Sequence, residues 1–347
     1  MSLKENTFNN TKSSIKNNIS NDITDGDLIS SVVLKSIKLF LEEYNLRDKT
    51  ILLAVSGGKD SVVLLDICYK LKELYNLNLL VAHFDHNLRD SSKGDADFVE
   101  KLVLEKYKLK FFRGLADRKE CKENLEAWAR KKRYEFLKKV YNENKIDVIF
   151  TAHTGSDVAE TLCMKLISNK EPRNIYKKDD KRHLMRPMLN ALRIKIDEYV
   201  KENGLEFVED PTNADTKYLR NKVRHVLIPF LEENFNKGVE EFLKNRGLLL
   251  EEDLSTLYEI AKKELQKIKS KDKFSKAWVK ELNLILESLP KAIRWRAIEL
   301  VLKDELYFNI GKKTSLEIMD LFLKKRVAVN LPMGKRIYRS KGKIFLS

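Results

Sequence analysis

The sequence predicts an α/β fold, a parallel sheet with helices on both faces, followed by a mainly helical C-terminal region with a small terminal β element. Three observations predict it. Between residues 28 and 225, short apolar runs of strand length alternate with stretches of helical period, the pattern of βαβ units. The first of these runs ends in Ser56-Gly57-Gly58 and leads directly into a helical stretch. After residue 226 the strand-like runs give way to long helical patterns dense in lysine.

Each element follows from its local pattern. Residues 28–44 (LISSVVLKSIKLFLEEY) carry a helical apolar stripe. Residues 51–55 (ILLAV) form a continuous apolar run, as a strand buried on both faces requires. Residues 61–74 read as helix, 78–84 (NLLVAHF) as the second strand, 94–107 as helix and 108–112 as a further strand. An amphipathic helix is expected over 124–141, with Leu125, Trp128, Ala129, Phe136, Leu137 and Val140 on one face. Residues 146–152 (IDVIFTA) read as a buried strand, with a helix from Asp157 onward. Residues 231–268 and 277–303 read mostly as helix, with Trp278 and Trp295 in their core, and 326–346 holds short β-like runs. Residues 1–27, rich in Asn, Lys, Ser and Thr, read as a flexible tail.

Composition narrows the function. The chain has 347 residues, 43% of them hydrophobic, enough to bury a core. Lys and Arg number 67 against 52 Asp and Glu, a net charge of +15 with a sequence pI near 9.4. Such an excess points to a polyanionic partner, nucleic acid before membrane. No apolar run is long enough to span a bilayer, and the first residues hold no apolar signal segment, so a soluble intracellular protein is expected. Cys68, Cys121 and Cys163 lie far apart with no CxxC, which excludes a disulfide framework or a cysteine-ligated cluster built from this chain alone.

The residues richest in chemistry sit where strands end. Ser56-Gly57-Gly58-Lys59-Asp60-Ser61 follows a strand and opens a helix. Its glycines let backbone N–H groups turn toward an anion, the helix start adds partial positive charge, and its serines add hydroxyl donors. It is a phosphate cradle without the spacing of a Walker A loop. Asp60 inside an anion site calls for a divalent cation or a substrate amine beside it, and Mg²⁺ bridging carboxylate and phosphate is the usual resolution. His83-Phe84-Asp85-His86-Asn87-Leu88-Arg89 closes the second strand, placing imidazoles, a carboxylate and a guanidinium at the edge where ligands bind.

The S-G-G-x-D-S loop resembles the pyrophosphate loop of the N-type ATP pyrophosphatases, and H-x-D-H-x-L-R resembles the matching motif of the tRNA(Ile)-lysidine synthetases. Further motifs resemble that family in order. They are Asn124 to Tyr134 (N-x-E-x-x-A-R-x-x-R-Y), Thr151-Ala152-His153 through Asp157, Glu160 and Thr161, Arg186-Pro187-Met188-Leu189, Asp210 to Asn213, and Arg220-Asn221-Lys222-Val223-Arg224. The match runs nearly continuously over residues 50–230. In the C-terminal region the resemblance lies mainly in layout and in Leu331-Pro332-Met333-Gly334. Two departures stand out. The family's D-D-Q is Ser156-Asp157-Val158 here, and its glycine-containing R-G-S-G segment is replaced by residues 167–174 (ISNKEPRN).

The resemblance implies an adenine nucleotide alpha hydrolase-like catalytic domain over 28–225 and a tRNA-binding region over 226–347. It implies ATP-dependent ligation of free L-lysine to C2 of the wobble cytidine of tRNA(Ile) with a CAU anticodon, through an adenylated cytidine, giving lysidine, AMP and pyrophosphate. ATP and Mg²⁺ are the expected cofactors. Ser56, Gly57, Gly58, Lys59, Asp60, Ser61, His83 and His153 are assigned to ATP, and Asp60 to the metal. Asp60, Asp85, Asp157 and Glu160 are the catalytic candidates, Asp60 through the metal and the other three because the lysine amine must lose a proton before attack and a carboxylate can accept it. Arg89, Arg130, Arg133, Arg220 and Arg224 are assigned to tRNA. A homodimer stays open, no membrane partner is expected, and the setting is the cytoplasm. The rivals are a tRNA 2-thiocytidine sulfurtransferase, which the lack of CxxC pairs opposes, a weaker one in an amidating ligase, and a non-catalytic tRNA-binding homologue.

Overall fold

The computed structural model describes residues 31–87, 92–117, 121, 125–168, 175–210, 215–303, 305–306 and 310–347. The chain divides into two compact units, Met1–Asp157 with Lys177–Asn213, and Val158–Tyr176 with Ala214–Ser347.

The first unit is built on a six-stranded sheet. In chain order its described elements are α1 (Val32–Glu43), β1 (Thr50–Ala54), α2 (Lys59–Leu71), β2 (Asn78–Asp85), α3 (Ser92–Lys101), β3 (Lys110–Leu115), α4 (Leu125–Glu143), β4 (Val148–Thr151), α5 (Gly155–Ile167), β5 (Lys178–Asp179), β6 (Leu184–Met185) and α6 (Arg193–Glu202). A π-helical stretch, Leu102–Tyr107, continues α3. Helix α5 begins in this unit and continues into the second. The strand order is β3-β2-β1-β4-β6-β5. All pairings are parallel except β5 with β6 at the edge.

The alternation of side chains explains why the strands read as unbroken apolar runs. Ile51, Leu53, Leu79, Val81, Val148 and Phe150 face one core with Ile37, Phe40, Ile67 and Ile196 from α1, α2 and α6. Leu52, Leu80, Ala82, Ile149 and Leu184 face the other, with Leu137 and Val140 of α4. Both faces are therefore covered, which is why the strands show no alternation of apolar and polar residues. Trp128, Ala129, Leu137 and Val140 of α4 are buried as expected. Leu125 departs from the expected face and is 39% exposed. It is the first residue of the helix and precedes the turn in which Trp128 and Ala129 pack on Ala116.

Beneath the loop that opens α2, a buried polar clamp ties the helices together. Asp66 is 5% exposed and accepts hydrogen bonds from Tyr107 Oη at 2.8 Å and Tyr199 Oη at 2.7 Å. Lys70 Nζ lies 2.9 Å from the same carboxylate. Burial, then the charge of Asp66, pushes both tyrosines up in pKa.

The second unit is mainly helical. After the described end of α5 come α7 (Leu219–Lys222), a π-helical stretch, Val223–Leu227, then α8 (Ile228–Asn234), α9 (Val239–Leu265), α10 (Lys276–Ser288), α11 (Lys291–Leu302) and α12 (Lys312–Phe322). A three-stranded antiparallel sheet closes it, with β7 (Ala328–Asn330), β8 (Arg336–Ser340) and β9 (Lys343–Leu346) in sequence order. Trp278, Leu282, Ile298 and Phe322 form a core with Val329, Ile337 and Ile344 of the sheet. Trp295 is 4% exposed, so both tryptophans are interior as expected. The region read as one helix from residue 231 breaks where Gly238 takes φ +90°. There Glu232 accepts the N–H groups of Gly238 at 2.6 Å and Glu240 at 2.7 Å.

Candidate functional site

The loop after β1 is shaped by its own hydroxyls. Ser61 Oγ accepts the N–H groups of Ser56 at 3.1 Å and Gly57 at 3.2 Å and donates to Gly58 O at 2.7 Å. Ser56 Oγ lies 3.2 Å from Ser61 Oγ and accepts from Gly58 N at 3.4 Å. Gly57 has φ +93°, and a Cβ built there would stand 2.9 Å from Val99 Cγ2. Glycine is needed at this position both for the turn and for the approach of α3. Gly57 O accepts Val208 N at 2.9 Å, so the segment before residue 211 lies against the loop. Gly58 caps α2 without a side-chain bond, which directs the positive helix end outward from the turn.

Lys59 and Asp60 begin α2. Lys59 forms an ion pair with Asp197 of α6. Asp60 holds one carboxylate oxygen, Oδ1, buried in the helix's first turn. Among the described residues no group of three His, Cys, Asp or Glu side chains is gathered to hold a metal.

β2 delivers the next groups beside the loop. His83 is 4% exposed, and its Nδ1 lies 2.9 Å from Val55 O. Burial lowers its pKa, so the ring is neutral, Nδ1–H donates, and Nε2 is the acceptor. Asp85 is also 4% exposed and accepts Asn87 N at 2.7 Å. His86 is pushed down to about 4, first by burial and then by the charge of Arg133. Its Nδ1 is buried and has no partner among the described residues. Arg89, Asn124 and Asn213 lie outside the described residues.

β4 ends at Thr151, whose Oγ1 lies 3.0 Å from His153 Nδ1. Asp157 Oδ2 accepts from Thr154 N at 2.8 Å and Thr154 Oγ1 at 3.2 Å, and Thr154 Oγ1 lies 3.4 Å from Asp157 N. This is a reciprocal capping box at the start of α5. Arg193 Nη2 stands 3.5 Å from Asp157 Oδ1. Ser156, which stands where the family motif has a carboxylate, is fully buried and accepts Arg193 N at 2.8 Å. It anchors α6, whose N-cap residue Leu192 offers no side-chain bond. Val158 is fully buried as well.

Glu160 belongs to the second unit and is 1% exposed. Arg224 grips it with Nε at 2.6 Å and Nη2 at 3.0 Å. Arg220 Nε lies 3.3 Å away and Arg220 Nη2 donates to Thr161 Oγ1 at 3.1 Å. A bidentate guanidinium of this kind is what a buried carboxylate needs to stay charged.

A cluster that sequence reasoning missed surrounds Tyr134. The guanidiniums of Arg130, Arg133 and Arg182 stand 5.0, 5.2 and 5.1 Å from its ring centroid. Burial alone would raise its phenol, but Arg133, Arg130 and the 5%-exposed Arg186 outweigh that and lower it. Arg130, Arg133 and Arg186 were visible in the motifs, whereas nothing local marked Arg182, which the β5–β6 turn brings in.

The fold and strand-end loop define a PP-loop domain protein, and the PP-loop domain model matches residues 30–231. The chain is 37% identical over 215 residues to a tRNA(Ile)-lysidine synthase of Thermosipho africanus, covering 59% of this chain and 50% of that protein. It is 34% identical over 286 residues to that of Clostridium tetani, covering 77% and 59%. It is 31% identical over 289 residues to that of a Nostoc species, covering 78% and 83%. The chain therefore belongs to the tRNA(Ile)-lysidine synthase family. It spans 50% and 59% of the first two relatives' length. Among solved structures, the U34-tRNA thiolase NcsA of Methanococcus maripaludis with its [4Fe-4S] cluster superposes with a TM-score of 0.51 at 16% identity. That match covers 62% of this chain and 76% of the other, and it concerns the fold. In this chain Cys68 and Cys163 are buried, and Cys68, Cys121 and Cys163 form no disulfide with one another. No described helix is long and apolar enough to cross a membrane.

Proposed function

We propose that this protein is an ATP-dependent tRNA(Ile)-lysidine synthetase acting in the cytoplasm. It joins the ε-amine of free L-lysine to C2 of the wobble cytidine of a CAU-anticodon tRNA(Ile). The observation that carries the reading is the Ser56–Ser61 cradle, whose glycine turn and hydroxyl-braced backbone lie at a helix start within a chain of this family.

The cytidine oxygen is a poor leaving group until it is adenylated. Attack on the α-phosphate builds negative charge on the departing pyrophosphate. The hydroxyls of Ser56 and Ser61 and the start of α2 would stabilise that charge, with the N–H groups of Gly57 and Gly58 exchanging their bonds to Ser61 Oγ and Ser56 Oγ for the anion. Lys59, held by Asp197, adds positive charge at the rim. Asp60 is the residue that would hold Mg²⁺, and the ion would supply further neutralisation. His83 braces the loop's root at Val55, and His153 lies at the end of β4 for the nucleotide.

In the second step the lysine amine must be deprotonated, because its free pKa is about 10.4. We assign the ammonium to Asp85 and Asp157. Glu160 is assigned to the ion pair with Arg224. Arg130 and Arg133, and Arg220 with its 44%-exposed side chain, are assigned to tRNA phosphates. Arg224 is assigned to holding Glu160.

Pyrophosphate release tests the first step. With ATP and Mg²⁺, a CAU transcript should raise pyrophosphate release at least tenfold over a transcript with U at the wobble position. Asp60→Asn and Ser61→Ala should each abolish most of that rise. Pyrophosphate release indifferent to the wobble base would contradict the reading.

A further inference from the structure

The terminal sheet has one covered face and one open face. Val329, Ile337 and Ile344 point into the core and are 2%, 0% and 4% exposed. On the other face Ala328 pairs with Tyr338, and Tyr338 with Phe345, in one cross-strand row. The two rings stack with centroids 5.4 Å apart and planes 17° from parallel, and Phe345 is 40% exposed. Strand alternation places Arg336 beside Tyr338 and Lys343 beside Phe345 on that same face. Both cations are exposed. From residue 323 to 347 the sequence holds eight Lys and Arg and no Asp or Glu.

A cross-strand aromatic pair can serve a small sheet by itself. This sheet already has an aliphatic inner face, and its pair is turned to solvent within a segment of one charge sign. Exposed rings on a strand face, ringed by cations, are what unpaired nucleobases stack on while their phosphates find positive charge. We propose that the outer face of β7-β8-β9 is a stacking platform for unpaired bases of RNA, with Tyr338 and Phe345 as the rings and Arg336 and Lys343 as phosphate partners. The proposal rests on the reading of the chain as a tRNA-acting enzyme. It adds a contact that no motif of the catalytic domain contains.

The test is binding of a fluorescent CAU transcript to the full chain by anisotropy, from 50 to 200 mM salt. Tyr338→Leu with Phe345→Leu should weaken binding at least tenfold while leaving the salt slope unchanged. Arg336→Gln with Lys343→Gln should lower the slope by one to two. Tyr338→Trp keeps a ring and should bind like the parent, and thermal melting checks that each variant folds. If the parent binds and the double leucine variant binds equally, the platform is wrong and the tRNA reading stands. A tryptophan variant as weak as the double leucine variant would also overturn it, because the rings would then act through the sheet's integrity. If the parent does not bind the transcript, the underlying reading fails, and pyrophosphate release indifferent to the wobble base would show that failure independently.

Discussion

The strand-end loop of the first unit and the open face of the terminal sheet are built in opposite ways. Around the loop, groups bind one another. Ser61 takes two backbone N–H groups, Lys59 pairs with Asp197, and Asp157 caps its own helix. On the sheet, Arg336, Lys343 and Phe345 extend into solvent. A site that must stabilise charge developing at one atom gains from fixed dipoles. A surface that grips a long flexible polyanion gains from adaptable side chains and diffuse charge. Substitutions at the loop should therefore act on rate, and substitutions on the sheet on affinity and its salt dependence.

The sharpest break is at the loop. Gly57→Ala places a Cβ 2.9 Å from Val99 Cγ2 on a residue with φ +93°, and a displacement near 1 Å at such a site costs about a hundredfold in rate. Pyrophosphate release should fall by about that factor with tRNA affinity unchanged. Next come the buried carboxylates. Asp66→Ala strands Lys70 and two phenols, and the loss of one partner from a buried ionic cluster costs about 3–5 kcal/mol. Urea unfolding should show a loss of that order.

The histidines give a pH signature. His86 is lowered from 6.5 to about 4, and His83 is lowered as well. Between those values the unfolded chain binds more protons than the folded one, so stability is complete above pH 6.5 and drains as pH falls toward 4. For His86 the total is up to about 3 kcal/mol. His86→Gln should flatten that acid limb in urea titrations across the window, and an unchanged limb would remove His86 as its source. The smallest effect lies in the second unit. Ser275 caps α10 by accepting Trp278 N at 3.3 Å, and Ser275→Ala should cost about 1 kcal/mol.

Much of the first unit was legible because its strands are buried on both faces and announce themselves as unbroken apolar runs. The segments 51–55, 78–84 and 146–152 each contain or overlap an observed strand. β5 and β6 were not legible. Each has two residues, too few for a periodicity, and they exist because β4 offers an edge. α6 was missed because polar residues fill its exposed faces, only Ile196 and Tyr199 being buried. The loop's serine and glycine chemistry could be read directly, since it depends on local turns. The partners that set it could not, because Asp197 lies 138 residues from Lys59 and Val208 lies far along the chain from Gly57. The capping role of Thr154 with Asp157 was present as T-x-x-D but was read only as part of a longer motif.

The central claim is that this sheet edge ligates lysine to a cytidine. The direct measurement is incorporation of labelled lysine into a CAU isoleucine tRNA transcript with ATP and Mg²⁺, beside a transcript whose wobble base is U. The account predicts label on the CAU transcript alone, with one AMP released per lysine joined. Transcript-dependent AMP release without label would contradict the assignment of lysine as nucleophile. Neither label nor AMP would make the protein a tRNA-binding homologue without this chemistry.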